Sequence, residues 1–167
     1  MATVRYRWTH RGYIAIGVVA VAIAAAVGFR GETFDGVVVR VVDGDTVAFK
    51  GAPDEVIVRV WGVDSPEMAQ PYGLDAKLFT GEACVGVEVH VDVVNVDRYG
   101  RRVGKITLPD DRDLGLELVR EGLAWWSSTY AAHEEVLRGA QADAQTARRG
   151  LWRDTTPEAP WDYRRRH

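Results

Sequence analysis

A chain of 167 residues with 47% apolar and 27% charged side chains has the apolar content of one packed domain and too much of it for a disordered segment. The formal net charge is −3, but Arg5, Arg7 and Arg11 precede the uncharged run "YIAIGVVAVAIAAAVGF"; without that leader 18 basic residues face 24 acidic ones, about −6. Such a balance excludes a broadly basic surface, and a single cysteine, Cys84, excludes an intramolecular disulfide and a cysteine-based zinc site.

Residues 1–29 read as an apolar helix serving as a signal anchor or signal peptide. Arginines before the run keep the N-terminus in the cytoplasm and send Arg30 onward across the membrane. The 17 uncharged residues from Tyr13 to Phe29 lie at the short limit of a span. Ala24-Ala25-Ala26 resembles a cleavage site, yet it is embedded in the run, which favours retention. The expected location is the outer face of the cytoplasmic membrane, single-pass, or outside the cell after cleavage near Ala26.

Residues 30–36 form a short polar linker. "VVVRVV" (Val37 to Val42) and "TVAFK" (Thr46 to Lys50) read as strands joined at "DGD", a strong turn signal. "VIVRVWGV" gives a third strand, with Arg59 among apolar neighbours. The break at Pro66 is followed by a helix from Tyr72 to Ala83, where Tyr72 serves as a packing residue at the helix start. "VEVHVDVV" (Val87 to Val94) alternates with period 2, and Val103 to Leu108 supplies a fifth strand. Asp113 can cap "LGLELVREGLA", and "AAHEEVLRGAQADAQTARRG" makes a last long helix stopped by Gly150. Five strands and about three helices in the order βββαββαα predict an α+β domain over residues 37–153, a small closed barrel with helices packed on it. Residues 154–167 are a polar, basic tail, in which Arg164 to Arg166 either touch phosphate or are disordered.

Two acidic clusters end neighbouring strands: Asp43 and Asp45 in "VVDGDTV", Asp64 and Glu67 in "RVWGVDSPE". Because consecutive strands usually pair, Asp45 and Asp64 are expected on one rim. Carboxylates without Cys or His partners suit a hard cation such as calcium. Arg59, five residues before Asp64, needs a partner because an unpaired buried charge is costly. A structural ion pair would also satisfy it, just as DGD is also a simple turn. A third rim stretch, "DRYGRRVG", carries Asp97, Tyr99 and Arg101. Taken together, the stretches supply a metal site, a base and two guanidinium forks that match phosphate oxygens, which is what phosphodiester cleavage needs.

Through "VVDGDTV", "VRVWGVDSPE", "PYG", "DRYGRRVG", "LELVREGLAWW" and "AAHEEVLRGAQADAQTARRGLW", the chain resembles the staphylococcal nuclease, or thermonuclease, family from about Val37 to Trp152. The resemblance implies a five-stranded OB-fold-type barrel capped by three helices. It also implies calcium-dependent hydrolysis of DNA and RNA that leaves 3′-phosphate ends. Carried over, Asp45 and Asp64 are calcium ligands together with the main-chain carbonyl of Ser65, and Asp43 supports the turn and the site waters. Glu67 corresponds to the general base for the attacking water, Arg59 and Arg101 to the phosphate-binding arginines, and Tyr99 and Tyr130 to possible nucleotide contacts. No obligate protein partner is implied; the partners are nucleic acid and, through the leader, a membrane.

His90 and His133 have no metal-binding companion at a useful spacing and read as surface or flank residues. Trp61, Trp125, Trp126 and Trp152 read as core, with Trp161 outside the barrel. The acidic balance leaves an alternative from another class: a catalytically inactive nucleic-acid-binding or protein-interaction module on the same barrel. A calcium-dependent structural domain at a membrane surface is a third reading.

Overall fold

The structure, a computed structural model, describes residues 31–51 and 54–167. The expected N-terminal apolar helix lies outside the described residues. Among the described residues no helix is long and apolar enough to cross a membrane.

The order of elements is β1 (Thr33–Asp43), β2 (Thr46–Phe49), β3 (Val56–Val60), β4 (Val63–Asp64), α1 (Gly73–Cys84), β5 (Glu88–Val96), β6 (Arg102–Thr107), α2 (Leu114–Arg120), β7 (Trp125–Trp126), α3 (Glu135–Thr146), a 3-10 turn at Gly150–Arg153, and α4 (Pro160–Arg166). Five strands close into a barrel in the order β1-β2-β3-β6-β5, so the predicted closed barrel is present. All its pairings are antiparallel except β3 with β6, which is parallel.

Alternation decides what faces inward. In β5 Val89, Val91 and Val93 are buried while His90 and Asp92 point outward, as a period-2 strand requires. The barrel interior is filled by Val38, Val47, Phe49, Val58, Val60 and Ile106, and Leu114, Leu118 and Val119 of α2 close one side. Each such side chain contributes about 1.5–3 kcal/mol by leaving water. Cys84 is fully buried in this core, and burial pushes its thiol up to about 11, so it is a packing residue without thiolate chemistry.

Several boundaries differ from those expected. Most of the expected linker's described part is strand: β1 begins at Thr33 because Thr33 to Val37 pair with Asp92 to Glu88 and thereby close the barrel. The third strand is broken after Val60 by Trp61 and Gly62, Gly62 having φ 79°, and the chain restarts as β4, paired with β7. Asp113 caps α2 as predicted, its Oδ1 accepting from the Leu116 amide at 2.8 Å. α2 ends early because Gly122 adopts φ 67° and Leu123 N–H returns to the Leu118 carbonyl at 2.8 Å, a left-handed helix stop. α3 starts only at Glu135; ahead of it the Ala131 carbonyl closes a tight turn by accepting from the Glu134 amide at 3.1 Å and also accepts from the Trp126 indole at 2.9 Å. The expected polar tail contains a fourth helix, α4, with Pro160 at its first turn, a favoured place for proline.

Candidate active site

The β1–β2 turn is placed by close packing. A Cβ on Gly44 would stand 2.6 Å from Ala76 Cβ and 2.7 Å from Ser65 Cβ, so only glycine lets α1 and the Ser65 loop press on the turn. Thr80 Oγ1 of α1 donates to the Gly44 carbonyl at 2.6 Å and pins it. The Asp45 amide donates to Asp43 Oδ1 at 3.3 Å, and the Asp45 carbonyl accepts from Val60 N–H at 2.8 Å. Asp45 is thereby locked to the end of β3.

Arg59 leaves β3 beside Thr46, its register partner on β2. The strand break at Gly62 turns Asp64 back towards it. Arg59 Nη1 meets Asp45 Oδ1 at 2.9 Å and Nη2 meets Asp64 Oδ1 at 2.6 Å, so one guanidinium bridges the two carboxylates expected on one rim. Their side chains are only 3% and 8% exposed. The remaining Asp45 bonds are from Thr46 Oγ1 at 3.0 Å and from the Ser65 amide to Oδ2 at 2.8 Å. Burial pushes the Asp45 carboxyl up to about 7; Arg59 opposes this, and the nearby Asp43 and Asp64 carboxylates add to it. Burial alone would lower the Arg59 pKa, but Asp45 and Asp64 outweigh it and hold that residue charged.

Glu67 is set by its own loop. Its amide donates to Gln70 Oε1 at 2.9 Å, and its carbonyl accepts from the Gln70 amide at 2.8 Å. A Cβ on Gly73 would stand 2.1 Å from the Glu67 carbonyl, which explains the glycine of "PYG". Tyr72 holds φ 67° at the start of α1 and packs against both hydrophobic clusters, in the packing role read from the sequence.

Arg101 stands two residues before Val103, the register partner of Arg59. Its Nε binds Asp97 Oδ2 at 2.7 Å rather than the carboxylates of the cluster. Tyr99, in the same turn, is exposed, with the Arg98 guanidinium 4.8 Å and that of Arg101 5.6 Å from its ring centre. Tyr130 is exposed as well, so neither tyrosine packs into the core. His90 sits half-buried on the barrel flank between Asp35 and Asp92, and His133 is exposed ahead of α3. Trp152 is buried, and Trp61, Trp125 and Trp126 pack partly buried against the two clusters.

Two residues were not foreseen at the cluster: Gln70 was not singled out, and Arg164 was expected in a basic tail that touches phosphate or is disordered. Arg164 of α4 donates from Nη2 to Asp64 Oδ2 at 2.7 Å, and from Nη1 to Asp64 Oδ1 at 3.1 Å and Glu67 Oε1 at 2.6 Å. The Asp64 hydrogen bonds, with Glu67 adding, hold its pKa above the ordinary arginine value. Gln70, buried, uses its other amide atom, Nε2, to reach the Glu158 carbonyl at 3.0 Å, joining the Glu67 loop to the segment that carries α4. The signal for α4 was "APWDYRRR", with proline at a helix start; nothing local tells where the first arginine of that run points.

The donor set is all oxygen. No group of three or more His, Cys, Asp or Glu side chains forms a metal cluster among the described residues. A cation held by Asp45 and Asp64 would therefore complete its shell from main-chain carbonyls and water, a composition that fits a hard, oxygen-seeking divalent ion. The Ser65 hydroxyl is buried and without a partner beside Asp45.

Residues 57–154 match the family described as "Staphylococcal nuclease homologue". The chain is 37% identical over 131 residues to an uncharacterized endonuclease of Escherichia coli O157:H7, covering 78% of this chain and 85% of that protein. It is 31% identical over 164 residues to a micrococcal nuclease of Shigella flexneri, covering 93% and 91%. A probable staphylococcal-like nuclease of Oryza sativa subsp. japonica is 36% identical over 108 residues, 65% of this chain and 32% of the rice protein. By fold, by matched length and by relatives, the chain belongs to the staphylococcal nuclease homologue family.

Proposed function

We propose that this chain is a calcium-dependent endonuclease that hydrolyses phosphodiester bonds in DNA and RNA without a covalent intermediate. The observation that carries the reading is the single guanidinium of Arg59 joined to two buried carboxylates, with Glu67 on the loop that follows. Two buried carboxylates that share one guanidinium repel each other, and a proton or a further cation relieves that repulsion. Arg59 is one such cation and a divalent ion is a second.

In this reading Asp45, Asp64 and the Ser65 carbonyl hold calcium, which supplies Lewis-acid polarisation of a phosphoryl oxygen when bound. Asp43 fixes the turn by accepting the Asp45 amide. Glu67 accepts or orients a proton of the attacking water as the oxygen approaches phosphorus. Arg59 donates to the phosphate oxygens as negative charge grows on them, and Arg101 joins it by exchanging Asp97 for phosphate. Exposed Tyr99 and Tyr130 offer ring faces to flanking nucleotides. Breakage of the 5′ P–O bond leaves 3′-phosphate ends. The N-terminal run places the domain on the outer face of the cytoplasmic membrane, or outside after cleavage near Ala26; protease added to intact expressing cells should digest it.

The deciding experiment incubates the purified chain with single-stranded DNA, duplex DNA and RNA, with calcium or chelator, at low and high salt, and analyses the product ends. Calcium-dependent cleavage with 3′-phosphate ends is expected. Binding without cleavage under every condition would leave the inactive-module reading standing, and cleavage that persists in chelator would remove the metal from the mechanism.

A further inference from the structure

Arg164 is carried to the site by a helix that is itself fixed to the body of the domain. Ala159 and Pro160 are buried, and Trp161 lies edge-on to Trp125 with ring centres 5.5 Å apart. The Glu158 carbonyl is held by Gln70, and Arg166 pairs with Glu158. Downstream of these anchors, Arg164 lies 97 residues from Glu67 and 100 from Asp64 in sequence, yet takes both Asp64 oxygens and one Glu67 oxygen. Its side chain is 44% exposed, so it sits over the mouth of the cluster.

Asp64 accepts from three N–H groups, one of Arg59 and two of Arg164. A divalent cation approaching Asp64 meets an oxygen already bonded to Arg164, because Asp64 Oδ2 accepts from that residue and Oδ1 accepts from it and from Arg59, and its charge repels the guanidinium. Glu67 is different: only its Oε1 is held by Arg164, and that contact, at 2.6 Å, is shorter than the 3.1 Å from the same nitrogen to Asp64.

Resting on the nuclease reading above, the geometry points to Arg164 as a third active-site arginine: it competes with the metal for Asp64 and, staying on Glu67 Oε1 when the metal enters, positions that carboxylate with Oε2 turned to the attacking water. It is a positioning residue, acting through Glu67 rather than on the substrate. The competition and the positioning have opposite signatures when the side chain is removed. Without Arg164 the metal no longer displaces a charge-assisted fork, so binding tightens. Glu67 loses the bond that orients it, so turnover falls.

The test uses the full chain and the variants Arg164→Ala and Arg164→Lys, with Arg165→Ala as a control, since Arg165 pairs with Asp162 within α4. Calcium affinity is measured by calorimetry without nucleic acid, and kcat and KM at saturating calcium. For Arg164→Ala we expect calcium binding tighter by about tenfold or more, the scale of one charged hydrogen bond, and kcat lower by roughly tenfold or more with KM little changed. Arg164→Lys should lie between, keeping the charge without the fork. Unchanged or weaker calcium binding in Arg164→Ala overturns the competition. Tighter binding with faster turnover makes α4 an inhibitory strap and overturns the positioning role. If neither wild type nor variant binds calcium, the metal reading itself fails and this inference with it. If the wild type binds and cleaves but the variant matches it in both measurements, only the inference fails.

Discussion

Arg59→Met removes the guanidinium between Asp45 and Asp64 and leaves an apolar stem of similar reach. Breaking a buried pair by deleting one partner costs about 3–5 kcal/mol, because the other charge is left in a poorly hydrated site. Asp64 keeps Arg164, whereas Asp45, 3% exposed, loses its ion pair and, among the described residues, retains Thr46 Oγ1 and the Ser65 amide. The lower end, about 3 kcal/mol, is therefore expected. For a domain of this size about 3 °C accompanies each kcal/mol, giving a Tm roughly 9 °C below wild type in chelator. Calcium should narrow that gap, since a dication supplies the lost charge to both carboxylates. The assay is thermal unfolding by circular dichroism with chelator and with calcium, alongside nuclease turnover, which should fall by about 10²–10³-fold. A chelator Tm within about 2 °C of wild type, or a gap that calcium widens, would refute the view that Arg59 and the metal share one pair of carboxylates.

Glu67→Gln should lower kcat by about 10²–10⁴-fold while calcium affinity measured calorimetrically stays within a few-fold, since Glu67 is assigned to water and not to the metal. Gly44→Ala should cost about 1–3 kcal/mol in urea unfolding, because its Cβ meets Ala76 and Ser65 inside contact distance; a neutral result would mean that the turn yields freely. His90 has its pKa raised above the ordinary 6.5, first by its hydrogen bond to Asp35, so the stability it contributes is complete below that value and is lost as pH rises through the folded-state pKa. The Tm advantage of wild type over His90→Asn should therefore be present below the ordinary histidine value of about 6.5 and shrink as pH rises above it, and an advantage that grows with pH would reverse the assignment.

The strands and the rim were legible because their causes are local. Valines at alternate positions of β5, the turn at Asp43-Gly44-Asp45 and the cap at Asp113 each act within a few residues. The reason for Gly44 was not legible: its φ is not in the left-handed region, and the glycine answers to Ala76 and Ser65, which approach it from elsewhere in the chain. The break between β3 and β4 depends on β7, some sixty residues later, offering Trp125 and Trp126 as partners. Arg164 was hidden most completely. In sequence it is one of three consecutive arginines on a polar tail, and what separates it from Arg165 and Arg166 is which face of α4 the buried Pro160 and the Trp125–Trp161 contact turn towards Asp64.

The parallel pairing of β3 with β6 has a kinetic consequence. Antiparallel neighbours such as β1, β2 and β3 are close in sequence, so Asp45 and Arg59 can meet while the rest of the chain is still unfolded, whereas Asp64 is placed by the pairing of β4 with β7. Joining Val58 to Arg102 instead requires the intervening α1 and β5 to be in place, at the entropic cost of closing a long loop. Contacts of such high sequence separation slow folding. The rate-limiting step should then be barrel closure rather than assembly of the charged cluster. Mutations in the meander that weaken the ion pairs should change the unfolding rate more than the folding rate only if those pairs form after closure, which stopped-flow chevrons on Arg59→Met can read directly.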